Sequence, residues 1–139
     1  MLYNVIIDHT STHAADVLHA MYYFCTQSNV KHVVTDFDLA CLFTSAIIHD
    51  FDHPGVNNNF LASVLDFKAI LYNDRSILEN HHLARSFEIL IKPDNNFTEN
   101  FTLQEFKDFR TCVVDSVLAT DLAMHFQILS KFKSRVNAA

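Results

Sequence analysis

The 139-residue chain predicts an all-α protein, a compact multi-helix bundle. A single glycine and two prolines are too few turn-formers for a β-rich domain, so long helices with tight connections are expected. Apolar residues recur at three- and four-residue spacing through most of the chain. Helix start and stop signals fall between those periodic runs.

The first helix is expected from about Thr12 to Ser28, with Asp16 in its first turn and Val17, Leu18, Met21, Phe24 and Cys25 at helical spacing. A second starts after Thr35 or Asp36. Its positions Phe37, Leu39, Ala40, Leu42, Phe43, Ala46 and Ile47 make it apolar nearly all round, which predicts a central, buried helix. It ends by delivering His49 and Asp50, just before the stop signal Pro54-Gly55. Asn57 to Leu65 reads as a third, shorter helix. A fourth spans about Arg75 to Ile91 and stops ahead of Pro93, with Asp94-Asn95-Asn96 as a polar loop. Thr102-Leu103-Gln104-Glu105 fits a capping box that opens a fifth helix to about Ala119. The sixth runs from Leu122 to Val136, with Phe126, Leu129 and Phe132 on one face. No internal repeat, low-complexity tract or linker divides the chain, so one domain is expected.

Half the residues are hydrophobic and 19% charged, a globular profile. The formal net charge of −6, with no basic run, argues against a nucleic-acid partner. No apolar stretch is long enough to span a bilayer, and Met1 to Val5 lacks the pattern of a secretory signal. Cys25, Cys41 and Cys112 are far apart and odd in number, which predicts buried free thiols in a reducing, cytoplasmic setting. Asn96-Phe97-Thr98 and Asn100-Phe101-Thr102 have glycosylation spacing, which means nothing without a secretory route.

Nine histidines against ten lysines and arginines are a heavy load of the commonest metal-binding side chain. His49-Asp50-Phe51-Asp52-His53 puts two imidazoles and two carboxylates into five residues directly after an apolar run. Such a cluster at the end of a buried segment needs a partner, and a divalent cation is the usual one. The plainer alternative is a helix C-terminus whose histidines favour the dipole. His9 and His13 lie four apart, as do His49 and His53. His13 with His49 and Asp50 would make a nitrogen–oxygen site of the kind that suits zinc, one ligand short of closure. Asp115 and Asp121 are candidates to complete it, although Asp121 also stands where an N-cap to the last helix belongs. His81 and His82 are adjacent, so at least one ring should point inward, as a satisfied core histidine or as support for the metal ligands. His19 and His125 read as surface or packing residues.

His9-xxx-His13-Ala14-Ala15-Asp16-Val17, then His49-Asp50-Phe51-Asp52-His53-Pro54-Gly55, Leu71-Tyr72-Asn73-Asp74, Leu78-Glu79-Asn80-His81-His82 and Val117-Leu118-Ala119-Thr120-Asp121 together resemble the class I 3′,5′-cyclic nucleotide phosphodiesterases, in order and in interval. The resemblance implies an all-helical HD-type catalytic domain with a two-metal site that hydrolyses cAMP or cGMP to the 5′-monophosphate. By matching positions, His13, His49 and Asp50 would hold zinc, and Asp50 would bridge to a second ion, magnesium or manganese. Water activated between the ions would attack the cyclic phosphate, so Asp50 and His9 both lie against substrate. His9 would be the general acid that protonates the departing 3′-oxygen. His53, Glu79, His82, Thr120 and Asp121 would orient the ligands and the metal-bound water.

The resemblance has departures. The family's fourth protein ligand, a downstream aspartate, and its purine-gripping glutamine and aromatic clamp have no counterpart before Ala139. Asp8-His9-Thr10 replaces the usual Tyr-His-Asn around the acid. Residues 1–139 are therefore expected to be a partial catalytic domain lacking its C-terminal portion, inactive alone, with exposed apolar surface that favours self-association. The second reading is a non-catalytic helical interaction module derived from such a domain.

Overall fold

The computed structural model describes residues 10–138, and among these there is no strand. Seven α-helices follow one another among the described residues: α1 (Ser11–Cys25), α2 (Asp36–Ile48), α3 (Asn58–Ser63), α4 (Phe67–Leu71), α5 (Ile77–Leu90), α6 (Leu103–Leu118) and α7 (His125–Ala138). Single 3-10 turns at Pro93–Asn95 and Leu122–Met124 precede α6 and α7.

Local chemistry sets most of the starts. Thr35 and Asp38 form a reciprocal capping box at α2, and Thr102 and Glu105 form the expected one at α6. Asn57 accepts the Phe60 amide to open α3, and Asp66 accepts that of Lys68 to open α4. The start of α5 is different. Ser76 sits in the left-handed region at φ 41° and makes no cap bond, and its hydroxyl instead donates to Asp121 Oδ2 at 2.7 Å.

The core is shared by α2, α5 and α6: Cys41, Leu83, Phe87, Phe109, Val113 and Val117 are buried against one another. Phe109 is the hub, with Phe87, Phe97 and Phe101 all meeting it edge-on. α2 lies between α1 and α6, which makes it the central helix the apolar pattern predicts. Its burial is narrower than expected, since Phe37 and Ile47 remain exposed. A smaller cluster of Leu61, Ala69, Ile77 and Leu78 ties α3 and α4 beneath the start of α5.

Several boundaries differ from the sequence reading, each for a local reason. α1 ends at Cys25, after which the Gln27 amide tightens onto the Phe24 carbonyl in a turn, and Phe24 is exposed on the helix. α3 fills most of the expected third helix and the chain turns at Leu65, φ 52°, where that helix is expected to end; α4, capped by Asp66, has no counterpart in the sequence reading. The polar loop after α5 contains a 3-10 turn, and the last helix starts three residues late because Asp121 caps a 3-10 turn first. The three cysteines are free thiols; Cys25 and Cys41 are buried, and burial together with neighbouring Cys112 pushes the Cys41 thiol well up. Among the described residues no single helix is long and apolar enough to cross a membrane.

Phe109→Ala removes the ring on which three others converge. It should lower unfolding free energy by roughly 3–5 kcal/mol in urea titration, against about 1 kcal/mol for Thr102→Ala, which removes only a cap.

Candidate metal centre

α1 and α2 pack together, and that packing brings His13, from the first turn of α1, over His49, which terminates α2 as its C-cap. The two Nε2 atoms are 3.2 Å apart. Asp50 Oδ2 lies 3.3 Å from His13 Nε2 and 3.2 Å from His49 Nε2. Three electron-rich atoms thus form a nearly equilateral triangle. Ligands about 2.05 Å from a tetrahedral ion sit roughly 3.3–3.4 Å from one another, so the donor set matches zinc in type and in size.

The tautomers agree. His49 Nδ1 is 2.9 Å from the Ala46 carbonyl, and a carbonyl can only accept, so the proton is on Nδ1 and the Nε2 lone pair faces His13 and Asp50. Burial pulls the His49 pKa down, but the Asp50 bond and charge and the Ala46 carbonyl together leave it raised. A metal must displace that proton preference, so binding releases protons.

A second group adjoins the first. Asp50, His53 and His82 each offer a donor atom within 4.8 Å of the others, so Asp50 belongs to both sets. His82 is fully buried; its Nδ1 donates to the Phe51 carbonyl at 2.6 Å, and its Nε2 stands 3.9 Å from Asp50 Oδ1. The His53 and His82 rings stack at 5.4 Å. His53 Nδ1 accepts the Gly55 amide at 2.9 Å, which places its proton on Nε2. In that state His53 is a donor, suited to orienting a water more than to binding a cation directly.

The turn carrying these groups is held from outside. Asp52 adopts φ 60°, a conformation Asp tolerates better than most residues, and Gly55 follows at φ 82°. His81 Nε2 reaches Asp52 Oδ2 at 2.9 Å and Arg85 Nε lies 3.6 Å from the same oxygen. The adjacent histidines of α5 thus divide their tasks: His82 braces the backbone of the turn from inside and His81 its carboxylate from the rim.

Glu79 accepts from Asn58 Nδ2 at 3.0 Å, while Asn58 Oδ1 takes the Leu78 amide. Burial pushes the Glu79 pKa up; the Asn58 bond opposes this, and the charges of Asp121 and Asp50 add to the rise. The accumulation of negative charge around Asp50 suits a divalent cation. Asp121 is buried and shared between the Ser76 hydroxyl and the Ala123 amide, so it caps a turn while it closes the far side of this network. Thr120, just past α6, directs its hydroxyl back to the Val117 carbonyl at 2.7 Å. Asp115 is exposed on α6, as are His19 on α1 and His125 on α7. His9 lies outside the described residues.

Sequence reasoning missed Asn58, Ser76 and the Phe51 carbonyl. The run Asn57-Asn58-Asn59 was a visible signal for the first. A serine at a helix start has many uses, and a backbone carbonyl leaves no mark in the sequence.

His82 should make stability pH-dependent. Burial first, against the opposing Phe51 bond and Asp50 charge, lowers its pKa from 6.5 to about 4. The unfolded chain therefore takes up a proton near pH 6.5 that the folded protein refuses until about pH 4. Stability from this group is full above pH 6.5 and lost as pH falls towards 4, by on the order of 3 kcal/mol. Urea titrations in EDTA should show that loss in the wild type and a visibly shallower one in His82→Gln.

The profile of the 3′5′-cyclic nucleotide phosphodiesterase family matches residues 8–139. The chain is 42% identical over 92% of its length to the probable 3′,5′-cyclic phosphodiesterase pde-3 of Caenorhabditis elegans, of which it spans 23%. It is 38% identical over 93% of its length to the mouse high affinity cAMP-specific and IBMX-insensitive 3′,5′-cyclic phosphodiesterase 8A, of which it spans 16%. The crystal structure of the phosphodiesterase domain of Salpingoeca rosetta rhodopsin phosphodiesterase superposes with a TM-score of 0.91 at 37% identity, over 96% of this chain and 40% of that one. The chain thus spans less than a quarter of these curated relatives and under half of that structure.

Proposed function

The chain belongs to the 3′,5′-cyclic nucleotide phosphodiesterase family, and from that membership we propose that it forms part of a metal-dependent hydrolase converting cAMP or cGMP to the 5′-nucleoside monophosphate. The observation that carries the metal reading is the 3.2–3.3 Å triangle of His13, His49 and Asp50.

His13, His49 and Asp50 hold the first ion, and their two-nitrogen, one-oxygen character favours zinc. Asp50 turns its other oxygen towards the side where His53 and His82 converge, which supports a second, harder ion there, magnesium or manganese. Bound cations would supply a nucleophile from water at neutral pH and neutralise charge on the phosphoryl oxygens. The protein's own groups do the orienting. His53, protonated on Nε2, donates; His82, with its lone pair on Nε2, accepts; Glu79 adds negative charge from the side. His9 is the proposed general acid at the departing 3′-oxygen, since an imidazole suits proton donation near neutral pH. Thr120 and Asp121 complete the rim through the bonds they make to Val117 and Ser76. The free thiols support a cytoplasmic setting, and the acidic balance supports no nucleic-acid partner. The residues present are read as one part of the catalytic domain.

Elemental analysis after dialysis against zinc should find about one zinc per wild-type chain and a small fraction of that in His49→Ala with helicity retained. Equal metal in both proteins would defeat the assignment.

A non-catalytic interaction module is the second reading, and one observation favours it. Leu122, Phe126 and Phe132 are 85%, 81% and 64% exposed around α7, a large apolar area to leave in water. Light scattering should then show concentration-dependent association that Phe126→Ser with Phe132→Ser abolishes; a monomer at all concentrations would remove this reading.

A further inference from the structure

α5 begins without a cap of its own. Ser76 stands at the N-cap position, but its backbone is left-handed and its hydroxyl donates to Asp121 Oδ2, so it accepts none of the free amides of the first turn. The Leu78 amide is accepted instead by Asn58 Oδ1 at 2.8 Å, from the first residue of α3 and 20 positions back in the chain. That bond orients the rest of the Asn58 side chain. A backbone N–H can only donate, so the atom on it is the amide oxygen, and the group left facing Glu79 Oε2 at 3.0 Å is the NH2.

Asn58 is itself fixed. Asn57 caps α3 immediately before it through the Phe60 amide, and Leu61 is buried with Ala69, Ile77 and Leu78 beneath the start of α5. That apolar cluster sets the spacing of α3 and α5, and Asn58 bridges the two helices. The Glu79 carboxylate it holds is half-buried and feels the charges of Asp50 and Asp121. Without a donor, such an anion among anions would swing to solvent or take up a proton, and either change removes negative charge from the surroundings of Asp50.

We propose, resting on the reading of a second ion beside Asp50, that Asn58 is a positioning residue for that ion: with its oxygen fixed on α5, its nitrogen holds the Glu79 carboxylate in place as a charged partner of the cation. Asn58 acts through Glu79, and its cap on Leu78 serves to aim it.

Manganese binding to the zinc-loaded chain tests this, read from the loss of the free-ion electron paramagnetic resonance signal. Asn58→Ala should weaken manganese about three- to tenfold with zinc content unchanged, and Glu79→Gln at least as much. Asn58→Ala added to Glu79→Gln should cost nothing further, because the two side chains act as one unit. Asn58→Asp combined with Glu79→Gln keeps the net charge, the acceptor for the Leu78 amide and a hydrogen bond of reversed direction between the two side chains. This pair should match the wild type in helicity and urea midpoint and still bind manganese at least threefold more weakly. The proposal fails if Asn58→Ala leaves manganese affinity unchanged, if it weakens manganese equally with and without Glu79, or if the combined variant binds manganese as the wild type does, since capping alone would then be its role. A wild type that takes up zinc and no manganese would overturn the second-ion reading, and this proposal with it, while leaving the zinc triangle standing.

Discussion

Two imidazole nitrogens held 3.2 Å apart beside a carboxylate are the constraint around which the rest of the fold is built. Lone pairs at that distance repel unless a proton or a cation lies between them, so helix packing must hold them together against that repulsion. α1 and α2 do this with their own contact, while α2 is anchored on its opposite side to α6 through Cys41 and the Phe109 core. The hydrophobic core is thus the support for a polar site that would not assemble by itself.

The turn after α2 is where that support becomes exact in geometry. Asp50 serves both donor groups because the chain reverses immediately after it, with Phe51 buried and Asp52 in the left-handed region. Both of those states are held by α5, through His82 on the Phe51 carbonyl and His81 on the Asp52 carboxylate. A buried neutral imidazole is a suitable brace, since burial keeps it uncharged across the pH range in which exposed histidines titrate. Further out, Asn58 on Glu79 and Ser76 on Asp121 tie α3, the start of α5 and the end of α6 into the same polar network. An apolar cavity beside Phe51 shows that the same turn has a dry face as well as a charged one.

Much of this was legible in the residues. The capping box at Thr102, the buried seam of α2 and the scarcity of glycine fixed an all-helical reading, because each is a short-range effect that the sequence carries directly. The pairing of His13 with His49-Asp50 was also visible, through motif order. The short helix α4 was not, since its few residues carry too little periodicity to stand out and are held by Ala69 packing in the cluster with Leu61. Phe24 likewise fits an apolar stripe by spacing, yet it is exposed in the folded chain.

Which residue types can bind a cation, and which helices would carry them, followed from side-chain chemistry and local periodicity alone. Only the folded chain decided the distances between them, the division of tasks between His81 and His82, and the tautomers of His49 and His53. The distances and the division of tasks depend on contacts between residues 29 to 36 positions apart, and the tautomers on hydrogen bonds to the Ala46 carbonyl and the Gly55 amide, backbone groups whose placement a one-dimensional pattern does not encode.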